Sequence, residues 1–530
     1  MSNLPNKKTK PQVVKIGDWG RSDTTDRPQA QSKTLDDYDT QAEALIDLCN
    51  DIECFRNEMD EPCAGVKVNG HTEIMKMYSR RFKLYLHKLY YDAFKKPPNA
   101  DSVQQALGHL ESKATFEGVG RKLARRVGEL DDAFYYDLAN DNWEAVRIDK
   151  DGVHVLSQPP LLFFRTKNMR EQSVPDLSGS LDLVKKHFCF RSENDLILFA
   201  VYLVYCFIPD LPHPLLVLAG EKGAAKSTSL RMLRAIVDPA KSDLTALPTS
   251  RDDLVITLAN NYMPCFDNLD TLSAEKSDLL CMACTGGSFS KRTLYTNDDE
   301  TIINFQRCVA LNGTNVVVTR SDLMDRSIVL QVSRISPAER KDEKQVWRDF
   351  NRDLPKMLGG CLNTLSKAIS IRPSVKIANL PRMADFAKWG FAIAEAAGIG
   401  GERFLEAYSR NQMRSNEEIL SSHPVALTLI RFMRNKRIWQ GDWTTLLEKL
   451  EKVAAKMNIR VHQKSWPAAP HALSRRMNDL KSNLEQAGIF FDTRKNDTKI
   501  LTLTNVNVSD DQCSSGVSQQ DQQVTRKPVK

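Results

Sequence analysis

Residues 214–228, Pro-Leu-Leu-Val-Leu-Ala-Gly-Glu-Lys-Gly-Ala-Ala-Lys-Ser-Thr, run a short apolar stretch straight into a loop of small residues, a lysine and two hydroxyls. The loop is Gly220, Glu221, Lys222, Gly223, Ala224 and Ala225; Lys226, Ser227 and Thr228 then open an amphipathic stretch, Ser229–Val237. A strand, a small-residue loop and a helix in that order aim successive backbone N–H groups at phosphate oxygens, with the positive helix end behind them. Lys226 would reach the β- and γ-phosphates and Ser227 would set its hydroxyl on Mg²⁺, so ATP with Mg²⁺ is the expected ligand. Ala225 departs from the glycine usual before such a lysine, and its methyl is expected to crowd the loop.

About forty residues later, Tyr262-Met-Pro-Cys-Phe266-Asp267-Asn268 reads as an apolar strand ending in an acid. Asp267 would hold Mg²⁺ from its second side. Asn268 stands where a carboxylate would polarise the attacking water; an amide orients water but is a poor base, which leaves slow hydrolysis or a base from elsewhere open. Pro264 is awkward in a central strand because it offers no N–H to the ladder. Cys308-Val-Ala-Leu311-Asn312 is a further strand ending in an amide suited to sensing a γ-phosphate or placing water. Arg326, just before the apolar run Ser327–Val332, would stabilise transition-state charge on a neighbouring subunit's nucleotide. The alternative for Arg326 is a salt bridge to Asp322 or Asp325.

The elements that must position these residues follow from pattern. From 176 to 345, apolar runs (Leu215–Leu218, Tyr262–Phe266, Val309–Leu311, Ser327–Val332) alternate with helical stretches, the signature of an α/β layer structure. The expected organisation is a flexible arm over 1–38, an α-rich domain over 39–175, the α/β core over 176–345, a helical lid over 346–420, a separate unit over 421–508 and a flexible tail over 509–530. Within 39–175, Ile74–Lys95 reads as a helix stopped by Pro97-Pro98, and Phe134–Arg165 as short strands with a turn at Asp151-Gly152.

The order Lys226-Ser227, Asp267-Asn268, Asn312, Arg326 resembles the P-loop ATPase core of the AAA+ proteins. It is most similar to the superfamily 3 helicases of phage and plasmid primase-helicase type. The resemblance covers about 215–335 and implies a homo-oligomer, such as a hexamer, and DNA as partner. It also implies that Thr285-Gly286-Gly287-Ser-Phe-Ser-Lys291-Arg292-Thr-Leu-Tyr295 is a hairpin that points Lys291 or Arg292 at a strand in a central pore, supported by Tyr295. Arg382, in Leu380-Pro-Arg382-Met-Ala-Asp385, lies where such proteins place a second arginine sensor, with a purely structural arginine as the alternative. The unit over 421–508 resembles a winged helix, which implies a recognition helix at 470–481 carrying Arg475, Arg476 and Lys481, and a wing over Phe490–Leu503 tipped by Arg494 and Lys495.

The chain has 530 residues and a net charge of +7, with 41% hydrophobic and 27% charged residues, a balance that excludes collagen-like, coiled-coil and wholly disordered proteins. Between Ser421 and Val508, 15 Lys and Arg face 7 Asp and Glu, and between His71 and Arg126 12 face 5. Either cluster suits phosphate backbones or a solvated helix face. The longest apolar run, Leu196–Ile208, is too short to span a membrane, and the first thirty residues show no apolar secretory core. The expectation is a cytoplasmic protein with reduced thiols. Cys281-Met-Ala-Cys284 has no second pair at zinc spacing, and no alternating strand carboxylates suggest a primase centre.

Three functions compete on these residues. The first is an ATP-driven DNA helicase or translocase serving replication of a phage or mobile element. The second is a slow or non-hydrolysing, ATP-gated DNA-binding regulator or loader, suggested by Ala225 and Asn268. The third, a small-molecule kinase, is disfavoured by the basic C-terminal unit.

Overall fold

The computed structural model describes residues 34–508 except 69, 293–299, 314–317, 319, 337, 339, 462, 464–465 and 496–498, with side chains described except at 291–302 and 494–499. The tail over 509–530 and most of the arm lie outside the described residues. Thr34 and Asp37 cap one another around a turn of 3-10 helix, Leu35–Asp37, within the stretch that the sequence reading gives to the arm.

One compact unit comprises the chain up to Arg125 with Asn142–Ala145 and Leu156–Arg165. It contains α1 (Gln41–Leu48), an antiparallel meander of β1 (Glu53–Arg56), β2 (Pro62–Val68) and β3 (His71–Lys76), then α2 (Arg80–Phe94) and α3 (Ala100–Phe116). Leu45, Val66, Met75, Phe82, Leu86, Tyr90 and Leu110 share its core. The helix expected from Ile74 starts only at Arg80, because Ser79 Oγ accepts the Phe82 N–H at 3.2 Å and fixes the N-terminus there, while Ile74–Lys76 pair with β2.

The second unit comprises the remainder. Its first sheet orders β4 (Val127–Leu130), β5 (Ala133–Asp137), β6 (Ala145–Asp149) and β7 (Gly152–Leu156). The expected turn is present: Asp149 Oδ1 accepts the N–H groups of Asp151 and Gly152 at 2.9 and 3.1 Å. The α-rich expectation for 39–175 is therefore corrected. Seven strands stand beside three helices among the described residues, because the strand runs are only four to seven residues long and leave little period to read.

After α4 (Val184–His187), the apolar run becomes α5 (Glu193–Tyr205), buried on nearly every side; no described helix is long and apolar enough to cross a membrane. The central layer then follows: β8 (Leu215–Ala219), α6 (Lys226–Val237), α7 (Arg251–Asn260), β9 (Cys265–Leu269), α8 (Ala274–Thr285), β10 (Gly287–Arg292), β11 (Glu300–Phe305), β12 (Ala310–Gly313), α9 (Ser321–Met324) and β13 (Ser327–Gln331). Its sheet is parallel, in the order β13-β8-β12-β9. Pro264 stays out of it: β9 begins one residue later, and Pro264 contributes only its carbonyl, to Ala310 N at 3.1 Å.

Three helices follow, α10 (Glu343–Ile371), α11 (Ala384–Ala396) and α12 (Gly401–Ser422). Helix α12 seals the outer edge of β13: Asn411 Nδ2 donates to Val329 O at 2.7 Å and its Oδ1 accepts Val329 N at 3.3 Å. A side-chain amide thus satisfies an edge that would otherwise expose unpaired backbone. The chain ends in α13 (Pro424–Met433), β14 (Ile438–Gly441), α14 (Trp443–Lys456), α15 (Pro470–Asp479), α16 (Lys481–Gln486), β15 (Ile489–Lys495) and β16 (Lys499–Asn505), with sheet order β14-β16-β15. The single helix expected at 471–487 is broken at Leu480, and β14 is an addition to the expected elements.

Candidate functional site

Strands β8, β9 and β12 end side by side, and their carboxyl ends bring together Lys226, Ser227, Asp267, Asn268 and Asn312. The loop between β8 and α6 is set by backbone geometry. Gly220 has φ 155°, and a Cβ there would stand 2.8 Å from Val332 O, so only glycine fits against the residue that follows β13. Gly223 also takes positive φ, and Ala224 is buried while Glu221, Lys222 and Gly223 are exposed. Ala225 adopts φ 54° and ψ 28° as the N-cap of α6. The methyl is accommodated in a left-handed conformation that costs an alanine roughly 1 kcal/mol.

Lys226 Nζ donates to the carbonyls of Gly220 at 2.7 Å and Glu221 at 2.9 Å, folding the ammonium back over the loop. Burial lowers its pKa below the usual lysine value, and Asp267 opposes that shift. Thr228 follows in the first turn of α6.

Ser227 Oγ donates to Asp267 Oδ1 at 2.8 Å, and Asn312 Nδ2 donates to the same oxygen at 2.6 Å. Asn312, 1% exposed, also accepts the Asn268 N–H at 2.8 Å. Asn268 takes φ 56°, tolerable for asparagine, and its side chain is exposed. Asn312 thus locks the bulge of β9 at Asn268 while steering the Asp267 carboxylate. Helix-end N–H groups with an ammonium suit an anion. A hydroxyl oxygen beside a carboxylate suits a small hard cation such as Mg²⁺, so the residues fit that pair of ligands.

Arg326 is at the opposite end of the sheet. Its carbonyl accepts the N–H of Leu215, the first residue of β8, whereas Val332 N donates to Ala219 O beside the loop. Five strand residues separate the two ends, roughly 16 Å. Arg326 Nη1 pairs with Asp322 Oδ1 at 2.5 Å, and Arg382 bridges Asp322 at 2.5 Å and Asp325 at 3.2 Å. Burial alone would raise the Asp322 carboxyl, but hydrogen bonds from Arg326 and Cys281, with Arg326 and Arg382 nearby, hold its pKa at about 2. Both arginines line one cavity of about 180 Å³ with Pro212, Thr285 and Phe386.

Strands β10 and β11 form an antiparallel pair in which Lys291 faces Thr301 and Arg292 faces Glu300. Tyr295 lies outside the described residues. On α15, Arg475 is exposed and Arg476 is half-buried, while Lys481 opens α16 with its Nζ 5.5 Å from the Phe491 ring centre. Arg494 and Lys495 close β15, and their side chains lie outside the description. Ser321 Oγ donates to Asp479 O at 3.0 Å, which joins the end of α15 to the short helix just before Arg326.

The sequence reading missed Arg126. It is fully buried and donates to Asp238 Oδ1 at 3.0 Å and to the carbonyls of Asp137, Arg170 and Pro239. Asp238 ends α6, and its other oxygen accepts Met263 N at 3.0 Å, so this pair ties the far end of α6 to the approach to β9. Position in a basic stretch gave no sign of it. Among the described residues no group of three or more His, Cys, Asp or Glu side chains could hold a metal ion; Cys281 and Cys284 lie on α8.

Residues 181–413 match the family model described as the actinomycete integrative conjugative element replication protein. Residues 425–518 match the C-terminal domain of the same replication protein, RepA. Together these stretches make up well over half of the chain. No curated protein matches it. Among solved structures, the A form apo structure of the NrS-1 C-terminal region is similar at 11% identity over 88% of this chain and 99% of that one, with a TM-score of 0.40. An apo structure of NrS-1 305–718 is similar at 10% identity over 88% and 100%, with a TM-score of 0.36.

Proposed function

The chain belongs to the replication-protein family of actinomycete integrative conjugative elements, and from that premise we propose that it is an ATP-driven DNA helicase or translocase with a P-loop core and a winged-helix C-terminal unit. The observation that carries the proposal is the Ser227–Asp267–Asn312 network beside Lys226 at the carboxyl edge of a parallel sheet, the edge where such folds bind ligands. Lys226 would exchange its two carbonyl partners for the β- and γ-phosphates, and Ser227 with Asp267 would hold Mg²⁺. Bound Mg²⁺·ATP supplies an activated phosphoryl group for transfer to water. Asn312 is a positioning residue that acts through Asp267, and Asn268 orients water without serving as a strong base.

Arg326 lies too far along β13 to reach its own loop, which supports service to a neighbour's nucleotide across a head-to-tail interface. There it must exchange Asp322 for the phosphate. Lys291 and Arg292 would contact single-stranded DNA, and α15 would present Arg475 and Arg476 to duplex DNA.

The test is subunit mixing. Lys226→Ala and Arg326→Ala are each expected to hydrolyse ATP poorly alone. In an equal mixture, about one quarter of the head-to-tail interfaces would combine an intact lysine with an intact arginine, and turnover would rise accordingly. A mixture no more active than its parts would sink the shared site.

A further inference from the structure

Helix α2 has two opposed stripes. Phe82, Leu86 and Tyr90 face the core, all fully buried. The other face carries Arg80, Leu84, Lys88 and Tyr91, spaced by four, four and three residues and so aligned along one side of the helix, and Lys95 caps its end with its Nζ 6.0 Å from the Tyr91 ring centre. The apolar members are not covered: Leu84 is 56% exposed, Tyr91 is 52% exposed, and Tyr78 just before the helix is 58% exposed. The flanks add Arg81, Lys83 and Lys96, against one acid on the helix, Asp92. Lys88 pairs with Asp92 and Arg81 with Glu73; Arg80, Lys83, Lys95 and Lys96 make no ion pair with a described residue.

A core-facing amphipathic helix needs cations on its outer side for solubility, but it does not need tyrosine and leucine threaded between them. We propose that this stripe is a binding surface for single-stranded DNA, with Arg80, Lys88 and Lys95 on phosphates and Tyr78 and Tyr91 against bases. Cations that alternate with exposed rings reproduce the chemistry of a strand, in which charge and π-face also alternate. A duplex hides its base faces in the stack and could use only the charges. A protein partner would select against lysine at the centre of the patch. The stripe lies outside both stretches matched to the replication-protein family, 181–413 and 425–518, so this site is additional to any DNA contact of the matched regions.

The experiment uses the full chain carrying Arg475→Ala and Arg476→Ala. The affinity for a fluorescent single strand and for the matching duplex is followed over a salt series. Adding Arg80→Ala, Lys88→Ala and Lys95→Ala is expected to weaken single-strand binding and reduce the slope of log affinity against log salt by about 2. Tyr91→Ala is expected to weaken single-strand binding about tenfold at unchanged slope, through lost stacking. Duplex affinity and the thermal melt should hold for both. Unchanged single-strand affinity and slope in the triple variant would overturn the proposal, as would equal losses on strand and duplex.

Discussion

The Asp267 carboxylate accepts from Ser227 and Asn312 on Oδ1, and among the described residues no side chain bonds its Oδ2. The acid is therefore oriented before any ligand arrives. Ala225 carries the opposite kind of constraint, a left-handed backbone on a residue with a Cβ. Ala225→Gly would relieve about 1 kcal/mol of native strain and lose a similar amount to unfolded-chain entropy. The expected outcome is a nearly unchanged melting temperature with ATP turnover retained. Ala225→Val, with a branched side chain at the same φ, should lower both. Lys226, Ser227 and Asp267 were legible in the sequence because each sits beside its strand in a short contiguous motif. The joint hold of Asn312 on Asp267 and Asn268 was not, because it depends on how β12 registers against β9 across a bulge. For Arg326 the salt-bridge alternative matches the geometry, with Asp322 as the partner. A carboxyl held at about pKa 2 keeps that pair fully charged above the ordinary carboxylate range, and it is lost only as pH falls towards 2.

Helix α6 is fixed at both ends, by the Gly220–Ala225 loop and by Asp238 in its pair with Arg126. Arg126→Met would strand the Asp238 carboxylate in a buried site. Removing one partner of such a pair costs about 3–5 kcal/mol. A drop in the transition temperature of the second unit is expected, and restoration of much of it by adding Asp238→Asn would tie the loss to the uncompensated charge. An unchanged melt in the single variant would contradict the structural role given to the pair. The four strands of the central sheet were read from the sequence to within a few residues, since continuous apolar runs mark buried parallel strands. The strands of residues 39–175 were largely lost, because short half-buried strands between long helices leave little period to read. The start of α2 was missed for a related reason: apolar residues of β3 continue the helical spacing into a strand, and only the Ser79 cap marks the boundary.

At the scale of the whole molecule, chemistry is divided among separate surfaces. Lys226, Ser227 and Asp267, the proposed nucleotide site, sit at one edge of the parallel sheet and the arginine pair at the other. Helix α15 joins the arginine segment through Ser321 and Asp479, and the basic stripe of α2 belongs to the other compact unit. A motor needs such a separation, with ATP at one surface changing the grip on DNA at another. Charge counts located both basic regions in the sequence, but only burial distinguished exposed Leu84 and Tyr91 from core Phe82, Leu86 and Tyr90. The central claim is that this chain spends ATP on DNA, and steady-state ATP hydrolysis with and without single-stranded DNA tests it most directly, for the wild type and for Lys226→Ala. The account predicts turnover that single strands stimulate severalfold and that the substitution abolishes. Nucleotide binding without turnover in either condition would contradict it and leave an ATP-gated DNA-binding protein in its place.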